Sequence, residues 1–160
     1  MYTHKYIPCD CVCSNKPDAQ AQFEPSEFAP MLSGFVSVNG AAGGSYVTVE
    51  VNGLPGEGPF AFHIHEGMNC GVGTGNMPFE QSGGHYNPTD QMHPQHAGDM
   101  PPLFATNGYA YMQFFTGRFT PDEIVNRAVI IHLNPDDFHT QPSGNAGARI
   151  ACGVFFKVED

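Results

Sequence analysis

The sequence predicts an all-β fold with at most one short helix. Short apolar runs rich in aromatic and β-branched residues recur along the chain, and turn residues separate them. Glycine (19) and proline (14) supply these turns without reaching the level of a disordered low-complexity chain of 160 residues. No run approaches the roughly 20 apolar residues that cross a membrane, and the length fits one domain.

The first strands are expected soon after a polar N-terminal segment. Residues 1–16 are polar and without periodicity, so they are predicted to form a flexible, cysteine-containing tail ahead of a domain over residues 17–160. Residues 19–24 alternate small or aromatic with polar side chains, which is typical of a short edge strand. Residues 35–38 and 46–51 are two further strands, joined by a glycine-rich hairpin connection of six residues, 39–44.

Four later apolar runs complete the predicted strands: 60–65, 108–114, 128–133 and 149–158. The segment from Thr120 to Glu123 predicts the one helix, because it has a capping hydroxyl, a proline at the first helical position and an acid three residues after the cap. From Glu66 to about Leu103 no strand is predicted. A loop of that length inside a compact domain is usually functional or disordered.

The charge of the chain limits its partners and its substrate steering. Sixteen acidic residues against six Lys and Arg give a formal charge of −10. Such a surface repels nucleic-acid phosphates and anionic membranes, so neither is expected as a partner. The N-terminus lacks the basic start and apolar stretch of a secretory signal, which predicts a cytoplasmic protein, or an extracytoplasmic one if the chain is processed.

Three histidines on strand candidates form a first metal-ligand set. His63 and His65 are two residues apart, so both imidazoles lie on one face of a strand. His132, on another strand candidate, can supply a third ligand from a neighbouring strand. Three or four imidazoles suit copper, whose Cu(II) form favours tetragonal nitrogen coordination.

A second ligand set lies in the long loop. His85, His93, His96 and Asp99 provide three imidazoles and a carboxylate, which close a tetrahedron around zinc without a thiolate. Six of the eight histidines fall in the two sets. The other two, His4 in the tail and His139 in a loop, are predicted to have no ligand role.

Four segments carry a resemblance to copper-zinc superoxide dismutases, and they occur in that family's order. The match extends from about Asp18 to the C-terminus, and the short interval between His65 and Cys70 resembles bacterial members. The four segments are Phe62-His63-Ile64-His65-Glu66, Gly83-Gly84-His85-Tyr86-Asn87-Pro88, His96-Ala97-Gly98-Asp99-Met100-Pro101 and Gly144-Asn145-Ala146-Gly147-Ala148-Arg149-Ile150-Ala151-Cys152-Gly153-Val154.

The resemblance implies a Greek-key antiparallel β-sandwich or flattened barrel and a role for each site residue. It implies a disulfide between Cys70 and Cys152, an anion-attracting Arg149, and Asp136 as a carboxylate that hydrogen-bonds one ligand of each metal. The copper ligands would be His63, His65, His85 and His132. The zinc ligands would be His85, His93, His96 and Asp99, with His85 shared.

The family's reaction is the conversion of superoxide to dioxygen and hydrogen peroxide, an antioxidant activity based on alternate reduction and oxidation of copper. In that reaction zinc positions the bridging His85, which also carries a proton. Two alternatives remain open from the sequence: a non-catalytic protein that buffers copper or zinc on the same fold, and a structural zinc module whose copper site stays empty. The family includes dimers and monomers, so a homodimer is also left open.

The segment between His132 and Gly144 departs from the family. Many members have a longer loop there with a lysine and glutamates that guide superoxide, whereas residues 133–143 contain no Lys or Arg. Steering is therefore expected to depend on Arg149 and the metals, with help from His139. The predicted consequence is a rate that added salt lowers only weakly.

The cysteines are not all explained. Cys70 and Cys152 form a plausible disulfide from their isolation alone, although a stable disulfide fits poorly with a reducing cytosol. Cys9, Cys11 and Cys13 can be a thiol cluster that captures Cu(I) for the site, or incidental thiols of a disordered tail. The second interpretation is favoured, because three thiols two residues apart do not close a tetrahedral site by themselves.

Overall fold

The computed structural model describes residues 16–75 and 77–159, which form two antiparallel β-sheets and a short β-ribbon. The strand order is β11-β1-β3-β4-β8 in the first sheet, β2-β10-β9-β6 in the second, and β5-β7 in the ribbon. Their bounds are β1 Ala19–Gln22, β2 Glu24–Pro25, β3 Ser33–Ala41, β4 Gly44–Asn52, β5 Gly58–Phe60, β6 Phe62–His65, β7 Leu103–Ala105, β8 Ala110–Thr116, β9 Ala128–His132, β10 Arg149–Val154 and β11 Phe156–Lys157.

The core lies between the two sheets and follows the strand period of two. On β4, Val47, Val49 and Val51 are fully buried, while the residues between them are partly exposed. From the other sheet, Phe62 and Ile64 join the same cluster. The chain crosses from sheet to sheet instead of completing one before the other, which confirms the predicted Greek-key sandwich.

Several predicted strands differ in detail from the observed ones. The strand at residues 19–22 is not an edge strand, because Gln20 pairs with Ser37 of β3 on one side and with Phe156 of β11 on the other. The β3–β4 ladder continues to the Ala41–Gly44 pair, which shortens the expected six-residue connection to a two-residue turn. The run 60–65 is interrupted at Ala61, so its halves belong to the ribbon and to the second sheet.

The predicted helix is present as α1, Pro121–Ile124. The backbone N–H of Thr120 donates to the Glu123 carboxylate at 2.7 Å, and the Thr120 hydroxyl donates to the same oxygen at 2.8 Å. The proline at the first helical position needs no hydrogen-bond acceptor there. Within the described residues, no helix is long and apolar enough to cross a membrane.

The long predicted loop is held to the second sheet by a disulfide. Cys70 and Cys152 are bonded, with their Cα atoms 5.8 Å apart, which confirms the expected pairing. Among its described residues the loop has one 3₁₀ turn, Glu80–Ser82, and otherwise runs as irregular chain to β7. Residues 1–15, with His4 and the three closely spaced cysteines, lie outside the described residues.

Candidate metal centre

Four imidazoles converge where β6 and β9 pair. His63 and His65 lie on β6, His132 ends β9, and His85 reaches them through an isolated bridge with His65. One ring nitrogen from each lies within 4.8 Å of the others. All four side chains are buried, although each belongs to a polar residue type. Buried polar groups normally have a bonding partner, so this convergence indicates a site that can hold a cation.

A second group adjoins the first through His85. Ligand atoms of His85, His93, His96 and Asp99 also lie within 4.8 Å of one another. His85 Nδ1 is 2.7 Å from Asp99 Oδ1, and the His96 backbone N–H donates to Asp99 Oδ2 at 3.0 Å. Asp99 pairs with His63 as an isolated bridge, which brings the loop group against β6. The structure thus brings all seven sequence-derived ligands together.

Hydrogen bonds to backbone carbonyls orient two of the imidazoles. His65 Nδ1 lies 2.9 Å from the Gly83 carbonyl oxygen, and His132 Nδ1 lies 3.3 Å from that of Gly147. A carbonyl only accepts, so each Nδ1 carries the hydrogen and each Nε2 keeps its lone pair. Those Nε2 atoms are 3.4 Å apart, directed into the centre of the first group.

Asp136 connects the two groups from outside. Its carboxylate accepts from His63 Nε2 at 2.8 Å and from His93 Nε2 at 2.9 Å, and the Phe138 N–H donates to it at 2.7 Å. Burial opposes ionisation, but these hydrogen bonds outweigh it and hold the pKa of Asp136 well below its ordinary value. The carboxylate is therefore charged, and it fixes the tautomer of one histidine in each group.

Three buried nitrogens test whether metal ions fit these groups. His63 Nδ1, His85 Nε2 and His93 Nδ1 have no hydrogen-bond partner. His93 Nδ1 is 3.1 Å from Asp99 Oδ2, yet the geometry is not that of a hydrogen bond. In each of the three rings the opposite nitrogen is hydrogen-bonded to a carboxylate, so the free lone pair faces the cluster. Lone pairs without donors are what ligand atoms of a metal site present.

The electrostatics favour neutral, ligating imidazoles. Burial lowers the pKa of His132 to about 3, and burial followed by the neighbouring His132 lowers the pKa of His65 well below its ordinary value. Burial also lowers the pKa of His63, although the hydrogen bond with Asp136 opposes the shift. Histidine binds metal in its neutral form, so protons compete little for His63, His65 and His132 near neutral pH.

An open cavity of about 500 Å³ leads to the first group. Arg149 lines it, together with His65, His85 and His132. Of the described residues that form its wall, Arg149 is the one permanent cation, whereas Glu66 and Asp90 are acidic. The guanidinium is fixed by the 3₁₀ turn: Nη1 donates to Phe79 O at 2.6 Å, and Nη2 donates to Gly83 O at 2.8 Å.

Comparison with known proteins decides the family. Residues 32–155 match the family described as copper/zinc superoxide dismutase. The chain belongs to this family.

Bacterial members of the copper/zinc superoxide dismutase family are among the similar proteins. Superoxide dismutase [Cu-Zn] of Deinococcus radiodurans is 36% identical over 129 residues, covering 70% of each chain. That of Legionella pneumophila is 36% identical over 133 residues, covering 78% of each chain. The solved Cu/Zn superoxide dismutase from Brucella abortus has a TM-score of 0.74 and 30% identity, covering 85% of this chain and 98% of that one.

Some side chains around the metal centre of this copper/zinc superoxide dismutase family member are not predicted from the sequence. Ser82 is fully buried, and its hydroxyl accepts from Arg149 Nη1 at 3.0 Å. Arg118 and Gln141 contact the backbone of the loop that carries the second group. The sequence offers one signal for Arg118: only six residues are Lys or Arg, so each of these cations is a candidate for a specific role. His139 lies apart from both groups, with 79% of its side chain exposed.

Proposed function

We propose that this chain is a superoxide dismutase, an oxidoreductase that converts two superoxide anions and two protons to dioxygen and hydrogen peroxide. The observation that carries the proposal is a pair of buried ligand groups that share His85 and lie beside a cavity with one fixed arginine. The relatives named above are superoxide dismutases, which supports the same activity.

The ligand chemistry assigns one metal to each group. The all-imidazole group suits copper, and the group with three imidazoles and a carboxylate suits zinc. Copper would be held by His63, His65, His85 and His132. Zinc would be held by His85, His93, His96 and Asp99.

The protein residues divide the work of the reaction. Copper, when bound, supplies one-electron redox chemistry, which zinc lacks. Arg149 binds the anion at the cavity wall, since its guanidinium is permanently cationic and held in place by two carbonyl oxygens. His85 Nε2 holds and delivers a proton, because Nδ1 is engaged on the Asp99 side while Nε2 has no protein partner. Asp136 keeps one ligand of each ion oriented.

A protein that only buffers copper or zinc would need neither the shared histidine nor the arginine. Arg149 is held toward the cavity by carbonyl oxygens instead of by a carboxylate, so its charge remains available to an anion. A structural zinc module would leave the imidazole group without a role. Both alternatives are therefore less well supported than the enzyme.

The decisive experiment is metal analysis and a superoxide-consumption assay on purified, copper- and zinc-reconstituted protein. The proposal expects one copper and one zinc per chain and rapid, copper-dependent consumption of superoxide. Full occupancy of both sites without activity would refute the enzyme and favour the buffer. Zinc uptake with no copper uptake would favour the structural module.

The disulfide supports a compartment for this activity. A stable Cys70–Cys152 bond is favoured where the surroundings are oxidising, which argues for a location outside a reducing cytosol. One relative, 31% identical over 157 residues, is the extracellular superoxide dismutase of the rat. Fractionation of the native source with thiol labelling tests this location. Recovery of the reduced protein in the cytosol would contradict it.

A further inference from the structure

The segment that carries most of the proposed zinc ligands has little regular structure of its own. His93, His96 and Asp99 lie within seven residues that contain no strand. A firm backbone attachment occurs at Gly98, whose N–H donates to Tyr86 O at 2.8 Å and whose carbonyl accepts from Ile64 at 2.9 Å. Residues 93–97 precede that anchor, and their order depends on contacts from elsewhere.

Arg118 contacts this segment from the link between β8 and α1. A single nitrogen, Nη1, donates to the carbonyl oxygens of Pro94, His96 and Asp99 at 3.1, 3.0 and 3.0 Å. The three carbonyls belong to residues that carry, or directly follow, a zinc ligand. Hydrogen bonds from a charged donor are about twice as strong as neutral ones, so this contact fixes the curvature of the segment.

Gln141 contacts the same segment from the link between β9 and β10. Its Oε1 accepts from the His93 N–H at 3.0 Å, and its Nε2 donates to the His93 carbonyl at 2.7 Å. The side-chain amide thus satisfies both backbone groups of one residue, as a neighbouring strand would. Asp136 holds the imidazole of His93 at the same time, so this residue is fixed through its backbone and its ring.

We propose that Arg118 and Gln141 are positioning residues that keep the zinc-ligand segment closed and thereby set how slowly zinc leaves. The inference rests on the zinc assignment above. Zinc release requires that ligands separate, and movement of residues 93–97 carries His93 and His96 away from His85, whose ligand atom lies within 4.8 Å of theirs. Each external hydrogen bond stabilises the closed segment against that movement. Neither side chain belongs to the ligand set, so both act through the backbone.

The contact geometry of Arg118 predicts which replacement preserves its role. Nη1 carries two hydrogens for three acceptors, whereas a lysine ammonium carries three. Lysine is usually a poor substitute where arginine binds with two nitrogens, but here one nitrogen makes all the contacts to the segment. Arg118→Lys should therefore retain slow zinc release, and Arg118→Gln should lose it.

The test measures zinc transfer from zinc-loaded full-length protein to a chromogenic chelator. Arg118→Gln and Gln141→Ala are expected to speed release by about 10- to 100-fold, because loss of an outer partner typically lowers metal affinity by that factor and an opened segment lowers it through faster dissociation. Lys157→Gln is a matched control for charge, since its partner Asp122 is remote and exposed. Gln113→Ala is the matched control for an amide, since it bonds Thr48 on the outer sheet face. Both controls should release zinc at the wild-type rate.

The outcomes separate this inference from the zinc assignment. Wild-type protein that takes up no zinc would overturn the assignment, and the inference with it. Stoichiometric zinc with wild-type release from Arg118→Gln and Gln141→Ala would overturn the inference alone. If Arg118→Gln fails to fold, Gln141→Ala decides, because Gln141 is exposed and its loss leaves the core intact. Equal release from Arg118→Lys and Arg118→Gln would overturn the single-nitrogen account.

Discussion

Asp136→Asn offers a sharp test of how the two metal sites are supported. The wild-type carboxylate accepts a hydrogen bond from His63 on one oxygen and from His93 on the other. An asparagine of the same shape keeps one oxygen and replaces the other by an NH₂ group. One imidazole then faces a donor with its own N–H, and that ring must turn or change tautomer.

The size of the effect follows from the bond that is lost. A hydrogen bond to a charged group contributes about 1.5–3 kcal/mol, and about 1.4 kcal/mol is a tenfold change in an equilibrium constant. Loss of the charge also weakens the bond that remains. We therefore expect affinity to fall by about 10- to 100-fold for the ion whose ligand loses its partner, and by less for the other.

Competition with copper and zinc chelators, measured separately at one pH, is the appropriate assay. Asp122→Asn is the control, because it removes the same charge from an exposed site paired with Lys157. Both ions should bind Asp136→Asn more weakly than they bind the control. Wild-type affinity for both ions would refute the idea that this carboxylate orients the ligands.

Three further predictions concern the shared ligand, the anion site and acid stability. His85→Ala should weaken the binding of both ions and slow superoxide turnover, while the circular dichroism signal of the β fold persists. Normal activity would exclude the bridging role. Arg149→Gln should lower kcat/KM and weaken azide binding to the copper-loaded protein. For the wild type, the rate should fall only gently with ionic strength, and a steep fall would contradict weak electrostatic steering of the anion. The metal-free protein should lose stability as pH falls below 6.5, because the unfolded chain then binds protons that buried His132, with its pKa lowered to about 3, does not. Through His132 alone, the free energy of unfolding should fall by about 2 kcal/mol from pH 8 to pH 5. Equal urea unfolding midpoints at the two pH values would contradict this prediction.

The sequence predicted the strand-borne ligands because the strand period is local. Two residues of separation put His63 and His65 on one face whatever surrounds them. The partner strand was harder to foresee, yet β6 pairs directly with β9 and places His132 beside them. Spacing also identified the loop group, because three metal-donor side chains within seven residues can reach one ion without help from the rest of the fold.

The differences arise from contacts between residues distant in sequence. The run 60–65 looks continuous, but Ala61 leaves the ladder because its N–H donates to Asn134 O and its carbonyl accepts from His132. The sequence predicts β1 as an edge strand because the run 149–158 looks continuous, whereas it is interrupted at Phe155 and its last part forms β11 beside β1. Arg118 and Gln141 contact residues of the zinc-ligand segment that are 19 to 48 positions away in the sequence, and no local pattern predicts such contacts.

The double attachment of Asp136 has a thermodynamic consequence for how binding of one metal affects binding of the other. Once either ion is bound, the histidine attached to that side is fixed, and the carboxylate between His63 and His93 is fixed with it. The second ion then meets a ligand whose ordering has already been accomplished, so its affinity rises. Linkage is reciprocal: whatever factor zinc adds to copper binding, copper must add to zinc binding. Through Asp136, each ion is therefore expected to raise the affinity for the other, which favours a doubly loaded chain over a half-loaded one.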